Sequence, residues 1–233
     1  MDLEFRTNLP TASKLINYGI VNPSTDRYLI SLQKERDSVL HELELDAEKN
    51  SVPIVGPLVG KFLSIIAKSC NAENILEIGT ATGYSAIWLA RSFQNGHGKL
   101  LTIEYDRERM KQAEQNFKRA GLSGIIEIIP GKAQKIVPYM AKSRPAEFDL
   151  VFLDVGEKTL YVELLQPCLE LLRVGGFLAA DNTLWNGWVA DSSNKNEETE
   201  IIRRFNEKVF KNEKLDASIV PLRDGVLVAL KRR

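Results

Sequence analysis

From residue 73 onward, short apolar runs alternate with segments in which apolar residues recur at helical spacing. The apolar runs predict strands at residues 74–78, 100–104, 125–129, 149–153, 176–180, 216–221 and 225–230. Helical patterns fall at residues 84–93, 106–119, 132–141, 159–172 and 197–211. Several of the strands are almost wholly apolar, which is expected when helices cover both faces of a parallel sheet.

The last two predicted strands are joined by a segment containing Asp224-Gly225, a pair that favours a hairpin turn. Five parallel strands followed by such a hairpin predict an α/β protein with a doubly wound, seven-stranded, Rossmann-like sheet. Its C-terminal edge strand is expected to run antiparallel to the others.

The first fifty residues have a different character. Residues 26–49 alternate charged residues with leucines at helical spacing, which predicts one amphipathic helix. Pro53 and Pro57 interrupt the chain, and residues 58–69 predict another helix. We therefore expect a helical extension at residues 1–52 that packs on the core or on a second subunit, followed by one domain at residues 53–233.

A glycine loop follows the first strand and precedes the first helix of the sheet, with glycines at Gly79 and Gly83. A dinucleotide fingerprint would need glycines where Ala81 and Tyr84 stand, so a nicotinamide dehydrogenase is disfavoured. The residue Glu77 lies at the end of the strand, where a carboxylate suits a cationic group better than a phosphate. A cofactor with a ribose and an ammonium group but no phosphate fits, and S-adenosylmethionine is the common one.

In such sheets, ligands bind beyond the carboxyl ends of the strands. Glu104 ends the second strand and could accept hydrogen bonds from ribose hydroxyls, although a solvated charge before a helix is the alternative. After the third strand, residues 130–134 offer small residues and an amide that could accommodate a flat adenine.

Polar side chains also end the fourth and fifth strands. Asp154 follows one strand, and Asp181-Asn182 follows the next. Two carboxylates and an amide oxygen, with no histidine or cysteine, favour a hard cation such as Mg²⁺, with Mn²⁺ or Ca²⁺ as alternatives. Ordinary turn chemistry after a strand is the other interpretation of the Asp-Asn pair.

Together these motifs resemble those of the cation-dependent O-methyltransferase family, which includes catechol and caffeoyl-coenzyme A O-methyltransferases and bacterial relatives. The resemblance runs from about Val52 to the C-terminus. It is carried by ILEIGTATGYSAIWLA, PGKAQ, FDLVFLD, DNTLWNG and PLRDGVLVALKR.

The resemblance implies a role for individual residues. The cofactor-binding positions that it implies are Val55, Glu77, Gly79, Thr80, Ser85, Glu104, Ala133 and Asp154. The implied metal ligands are Asp154, Asp181 and Asn182, and Trp185 would line the acceptor site. Family members carry a lysine general base three residues after the first metal aspartate. Here Glu157 stands there and Lys158 follows, so we expect Lys158 to be that base, displaced by one inserted residue, with Glu157 as the alternative.

Composition narrows the choice of partners. The 31 basic and 31 acidic side chains balance, so no global footprint for duplex nucleic acid is present. The N-terminus shows no export signal and no apolar run is long enough to cross a bilayer, which predicts a cytoplasmic protein. The two cysteines suggest no disulfide framework. We expect an O-methyltransferase that acts on a small catechol-like or phenolic hydroxyl, and the resemblance implies a homodimer. A tRNA hydroxyuridine O-methyltransferase and a non-catalytic S-adenosylmethionine-binding protein are the alternatives.

Overall fold

The computed structural model describes residues 20–33, 37–94 and 97–232. Its strands are β1 Asn74–Ile78, β2 Lys99–Glu104, β3 Ile126–Pro130, β4 Phe148–Leu153, β5 Leu172–Ala180, β6 Leu215–Val220 and β7 Val226–Lys231. They form one seven-stranded sheet in the order β3-β2-β1-β4-β5-β7-β6. The predicted α/β sheet is therefore confirmed, and β5 begins four residues earlier than expected.

Strands β1 to β5 pair in parallel, and β7 pairs antiparallel with both β5 and β6. The antiparallel edge is confirmed, with β6 outermost and β7 between β5 and β6. Because β1 pairs with both β2 and β4, the chain order reverses at β1. This reversal is the switch point at which open α/β sheets bind ligands.

The helices are α1 Pro23–Ser31, α2 Ser38–Asn50, α3 Gly56–Ser69, α4 Tyr84–Ala90, α5 Arg107–Arg119, α6 Ala133–Ser143, α7 Thr159–Leu171 and α8 Glu197–Phe210. A kinked 3₁₀ segment spans Trp185–Ala190. Side chains from α2, α3, α4 and α5 pack on one face of the sheet with Ile75, and those from α6, α7 and α8 pack on the other with Leu76. Both residues are fully buried, as a sheet covered on both faces requires.

The prediction of one helix over residues 26–49 is wrong. Helix α1 ends at Ser31, and α2 begins at Ser38. The reason is the cap: the Asp37 carboxylate accepts hydrogen bonds from the backbone N–H groups of Val39 (3.0 Å) and Leu40 (3.1 Å). This arrangement starts a new helix. The parts of the predicted extension at residues 1–19 and 34–36 lie outside the described residues.

Helix α3 begins at Gly56, two residues before the predicted start, and contains Pro57 in its first turn. The backbone N–H groups in the first turn of a helix have no carbonyl partner within the helix. Proline, which lacks an N–H group, therefore fits there without breaking the helix. Helix α2 joins the same core layer as α3 through Leu40 and Leu43.

A domain boundary at residue 52 stays a prediction. Among the described helices, none combines the length and apolarity needed to cross a bilayer.

Candidate active site

A cavity of about 890 Å³ lies at the switch point, beyond the carboxyl ends of β1, β2, β4 and β5. It brings together nearly all the residues that the sequence singled out. Those lining it are Val55, Gly79, Thr80, Ser85, Glu104, Ala133, Asp154, Glu157, Lys158, Asp181, Asn182 and Trp185. Their contacts with ligands stay predictions, but their common location is a finding.

The glycine loop passes close to the neighbouring strand. Gly79 has a φ of +106°, and a Cβ built on it would lie 1.9 Å from the carbonyl oxygen of Asp154. Gly83 has a φ of +88°, and its Cβ would meet the Phe117 ring at 2.4 Å. Both glycines are therefore required by backbone angle and by space, whatever the loop binds.

The Glu104 carboxylate is held by backbone donors on both sides. Its Oε2 atom accepts from the N–H of Ala81 at 3.0 Å, and its Oε1 atom accepts from Tyr105 and Asp106, each at 2.9 Å. The side chain is only 4% exposed, yet it lines the cavity. These three bonds fix both oxygens and, of the roughly four acceptor positions of a carboxylate, leave one on Oε2 for a ribose hydroxyl.

Glu77 lies one layer below the cavity wall and is fully buried. Its Oε2 atom accepts a hydrogen bond from Thr102 Oγ1 at 2.6 Å, and that hydroxyl lies 2.6 Å from Thr80 Oγ1. Burial raises the pKa of Glu77 to about 8, although the nearby hydroxyls of Ser85 and Thr102 oppose the rise. A neutral carboxyl is thus the favoured form at neutral pH, and the contact of Glu77 with the cofactor stays a prediction.

Sheet register places the two aspartates side by side. Leu153 pairs with Ala180, so Asp154 and Asp181 follow neighbouring positions on β4 and β5. Burial and then repulsion from Asp154 raise the pKa of Asp181 to about 7. Burial also raises the pKa of Asp154, while the charges of Lys158 and Arg223 oppose that rise. Two neighbouring carboxylates repel each other, which disfavours their ionised forms unless a cation binds between them.

The donor set fits a divalent cation. The Asp181 Oδ1 atom is buried without a hydrogen-bond partner in the described part of the chain. The candidate ligands are two carboxylates and the amide oxygen of Asn182, which suits an oxygen-binding cation. Within the same described residues, no group of three or more His, Cys, Asp or Glu side chains is placed to hold a metal. A bound ion would therefore need Asn182 as well as water or acceptor oxygens.

Lys158 reaches into this cluster from the start of α7. Its Nζ atom donates to the carbonyl of Val155 at 3.0 Å, to Asn182 Oδ1 at 3.3 Å and to the Tyr161 hydroxyl at 3.4 Å. The same atom lies 4.9 Å from the centre of the Trp185 ring. Burial lowers the pKa of Lys158, and the charges of Asp154 and Asp181 oppose that change.

Glu157, the alternative base, lies at the exposed edge of the cavity. Its carboxylate accepts a hydrogen bond from Thr159 Oγ1 at 3.0 Å. Lys158, in contrast, is 5% exposed. The structure therefore places the lysine, and not the glutamate, beside the candidate metal ligands.

Arg223 and Asp224, on the turn between β6 and β7, are among the cavity residues that sequence reasoning missed. Asp224 is 1% exposed, and its Oδ1 atom accepts from the backbone N–H of Asn186 at 2.5 Å. Burial raises the pKa of Asp224 to about 6, although hydrogen bonds from Asn186 and Asn182 oppose the rise. The Asp-Gly pair predicted the turn correctly but gave no signal that it contacts residues 182–186.

Solved structures share this architecture. The O-methyltransferase TomG from Streptomyces achromogenes, in complex with SAM, has a TM-score of 0.80 and is 31% identical, covering 90% of this chain and 96% of that one. An O-methyltransferase from Bacillus cereus, in complex with SAH, has a TM-score of 0.81 and is 28% identical, covering 94% and 100%. The fold is thus that of the class I methyltransferases.

Sequence comparison narrows the class further. A catechol O-methyltransferase of Niastella koreensis is 36% identical over 214 residues, covering 89% of this chain and 96% of the relative. The O-methyltransferase family model matches residues 30–232. The chain belongs to the O-methyltransferase family.

Proposed function

We propose that this protein is an S-adenosylmethionine-dependent O-methyltransferase that requires a divalent cation and methylates a hydroxyl of a small catechol-like or phenolic acceptor. The observation that carries the proposal is one cavity lined by the glycine loop, Glu104, the Asp154–Asp181 pair and Lys158. The complexes of the two related structures with SAM and SAH support the choice of donor.

On the cofactor side, the Oε2 atom of Glu104, which accepts only one backbone hydrogen bond, would accept another from a ribose hydroxyl. The small Ala133, at the start of α6, leaves room for the adenine. Val55, Thr80 and Ser85 also line the cavity, and we propose that they contact the methionine portion. The donor supplies a methyl group on a sulfonium, which an oxygen nucleophile displaces in line.

On the acceptor side, Asp154, Asp181 and Asn182 would hold Mg²⁺ or a similar ion. When bound, such an ion lowers the pKa of a coordinated hydroxyl and stabilises its anion. Lys158 in its neutral form would give up one of its three donated hydrogen bonds and accept the hydroxyl proton at Nζ, and burial favours that neutral form. Trp185 would bound the acceptor site and exclude water from it.

The charge of the cavity bears on the alternative acceptor, a tRNA nucleoside. Within the described lining, six acidic side chains (Glu48, Glu104, Asp154, Glu157, Asp181 and Asp224) outnumber four basic ones (Arg109, Lys132, Lys158 and Arg223). Even with a divalent cation bound, this lining would carry no basic excess of the kind that attracts an RNA backbone. This supports a small acceptor. The position of Lys158 beside Asn182 likewise favours an enzyme over a non-catalytic binding protein.

The proposal is tested by incubating the protein with methyl-labelled S-adenosylmethionine and, in parallel, catechol, phenol and bulk tRNA. Each mixture is run after chelation and after Mg²⁺ is restored. We expect label in catechol when Mg²⁺ is present and at least tenfold less after chelation. Label in tRNA alone, or equal label with chelator, contradicts the proposal.

A further inference from the structure

Arg223 adopts a backbone conformation that is unusual for its type. Its φ is +54°, in the left-handed region that glycine adopts without steric penalty and in which a residue with a Cβ is strained. It lines the cavity, and it is followed by Asp224 and Gly225 in the turn between β6 and β7. A strained residue at a ligand cavity is a reasonable starting point for a functional hypothesis.

The Arg223 side chain connects the turn to the cofactor side of the cavity. Its Nη1 atom donates a hydrogen bond to the carbonyl oxygen of Ile54. Ile54 immediately precedes Val55, the buried residue at the start of α3 that is predicted to contact the cofactor. In addition, the Arg223 carbonyl accepts from the N–H of Ile20 at 3.2 Å. The arginine therefore fixes the segment that forms one wall of the cofactor site.

The two residues after Arg223 connect the same turn to the metal side. The Asp224 carbonyl accepts from the N–H of Leu184 at 2.9 Å, and the Gly225 carbonyl accepts from the N–H of Thr183 at 3.1 Å. The Thr183 hydroxyl adds a bond to the Gly225 carbonyl at 3.0 Å. Together with the bond from Asn186 to the Asp224 carboxylate, these contacts hold the segment that begins at the candidate ligand Asn182.

The positive charge of the Arg223 guanidinium also acts on the carboxylates at the metal side of the cavity. It opposes the rise in pKa of both Asp154 and Asp181, so it lies within electrostatic range of them. Asp26 on α1 and Asp224 face it as well. A fixed cation here would repel a divalent ion to some extent. Any benefit of Arg223 to catalysis should therefore come from geometry and not from tighter metal binding.

We infer that Arg223 is a positioning residue that ties the Ile54–Val55 segment to the metal-side loop, so that donor and acceptor are held at a fixed separation. The inference rests on the proposed function for its catalytic readout. Methyl transfer depends steeply on the alignment of the reacting atoms, and displacement by about 1 Å can cost roughly 100-fold in rate.

Arg223→Gly is the decisive variant, because it removes the guanidinium and relieves the backbone strain at once. We expect kcat for catechol to fall about 10- to 100-fold. The melting temperature should stay equal or rise, and the dissociation constant of Mn²⁺ should stay equal or tighten. Arg223→Lys keeps the charge and a donor for the Ile54 carbonyl, so it should restore a substantial part of kcat.

Ala146→Gly is the matched control for strain relief, because Ala146 is exposed, has a φ of +58° and does not line the cavity. It should leave kcat unchanged. Arg223→Met, which keeps the backbone conformation, repeats the test if the glycine variant is insoluble. A kcat within twofold of wild type for Arg223→Gly overturns the inference. A lower kcat that is accompanied by a lower melting temperature and weaker Mn²⁺ binding also overturns it, since that outcome is general damage.

A binding experiment separates this inference from the proposed function. The dissociation constant of S-adenosylhomocysteine is measured by calorimetry with and without Mn²⁺. We expect Mn²⁺ to tighten it at least threefold in the wild type and clearly less in Arg223→Gly, where only the coupling through the shared residue Asp154 remains. If the wild-type protein methylates no catechol, the proposed function fails, and this loss of coupling still supports the inference. Equal coupling in both proteins contradicts it.

Discussion

The Nζ atom of Lys158 lies 3.3 Å from the Oδ1 atom of Asn182, a residue 24 positions later in the chain. One end of this contact is the proposed proton acceptor, and the other is a proposed metal ligand. The contact exists because β4 and β5 are neighbours whose ends meet at the same edge of the sheet. It places the proposed proton acceptor beside a proposed metal ligand.

Replacing Lys158 by methionine should lower kcat for catechol by roughly 100- to 10,000-fold, the range typical of a lost general base. Methionine keeps the length and packing of the side chain but cannot accept a proton. The binding of S-adenosylhomocysteine should be unchanged. Glu157→Gln, at the exposed neighbouring position, should change kcat little. Steady-state kinetics of both variants decide the matter, and a larger loss in Glu157→Gln than in Lys158→Met would assign the base to the glutamate.

Asp181→Asn should remove the stabilisation of the protein by Mn²⁺, because an amide cannot replace the second carboxylate of the pair. Without metal, the variant should melt at the same temperature as wild type or higher, since a buried charge next to Asp154 has been removed. Thermal denaturation with and without Mn²⁺ measures both effects. Asp216→Asn, at an exposed position on β6, is the control. Full stabilisation of Asp181→Asn by Mn²⁺ would show that the ion binds elsewhere.

Glu77 makes stability depend on pH. Its pKa is raised from 4.5 to about 8 in the folded protein, so the folded state keeps a proton that the unfolded state has lost. This contribution is therefore fully present below pH 4.5 and is lost as the pH rises through 8, at up to about 1.4 kcal/mol per pH unit. Relative to wild type, Glu77→Gln should gain stability between pH 5 and pH 8. Urea denaturation across that range tests this, and a constant difference would show that Glu77 is ionised when folded.

Glu104→Gln should weaken the binding of S-adenosylhomocysteine by about 10- to 100-fold, the effect expected for losing hydrogen bonds to a charged group. The amide nitrogen of glutamine would also face the backbone donors that now hold Glu104. Glu108→Gln, a nearby exposed carboxylate on α5, should bind normally. Calorimetry measures the affinity of the wild type and of both variants for S-adenosylhomocysteine. An unchanged affinity in Glu104→Gln would show that Glu104 does not bind the ribose.

Apolar runs and the polar residues at their ends were enough to predict the sheet and the meeting of Asp154 with Asp181. The apolar pattern of the strands predicts the sheet. The carboxyl ends of neighbouring parallel strands lie side by side, which predicts that the two aspartates are close together. The break between α1 and α2 was missed because Asp37, which caps α2, lies within a continuous leucine pattern. The burial of Glu77 depends on tertiary packing that no local pattern records.

Arg223 and Asp224 show a different limit. Their Asp-Gly turn was predicted correctly from local chemistry, but the function proposed for it depends on contacts with Ile54 and Asn186, which are distant in sequence. Such hydrogen bonds join residues that are far apart in the chain. No local sequence pattern therefore indicates them, and they are seen only in the folded structure.

The most direct test of the central claim is a crystal structure of the protein with Mn²⁺ and S-adenosylhomocysteine, with anomalous scattering used to locate the metal. We expect one strong anomalous peak within coordination distance of oxygen atoms from Asp154, Asp181 and Asn182, in the same cavity as the bound nucleoside. A peak at another site, or the nucleoside bound in this cavity with no metal between the two carboxylates, would contradict the account.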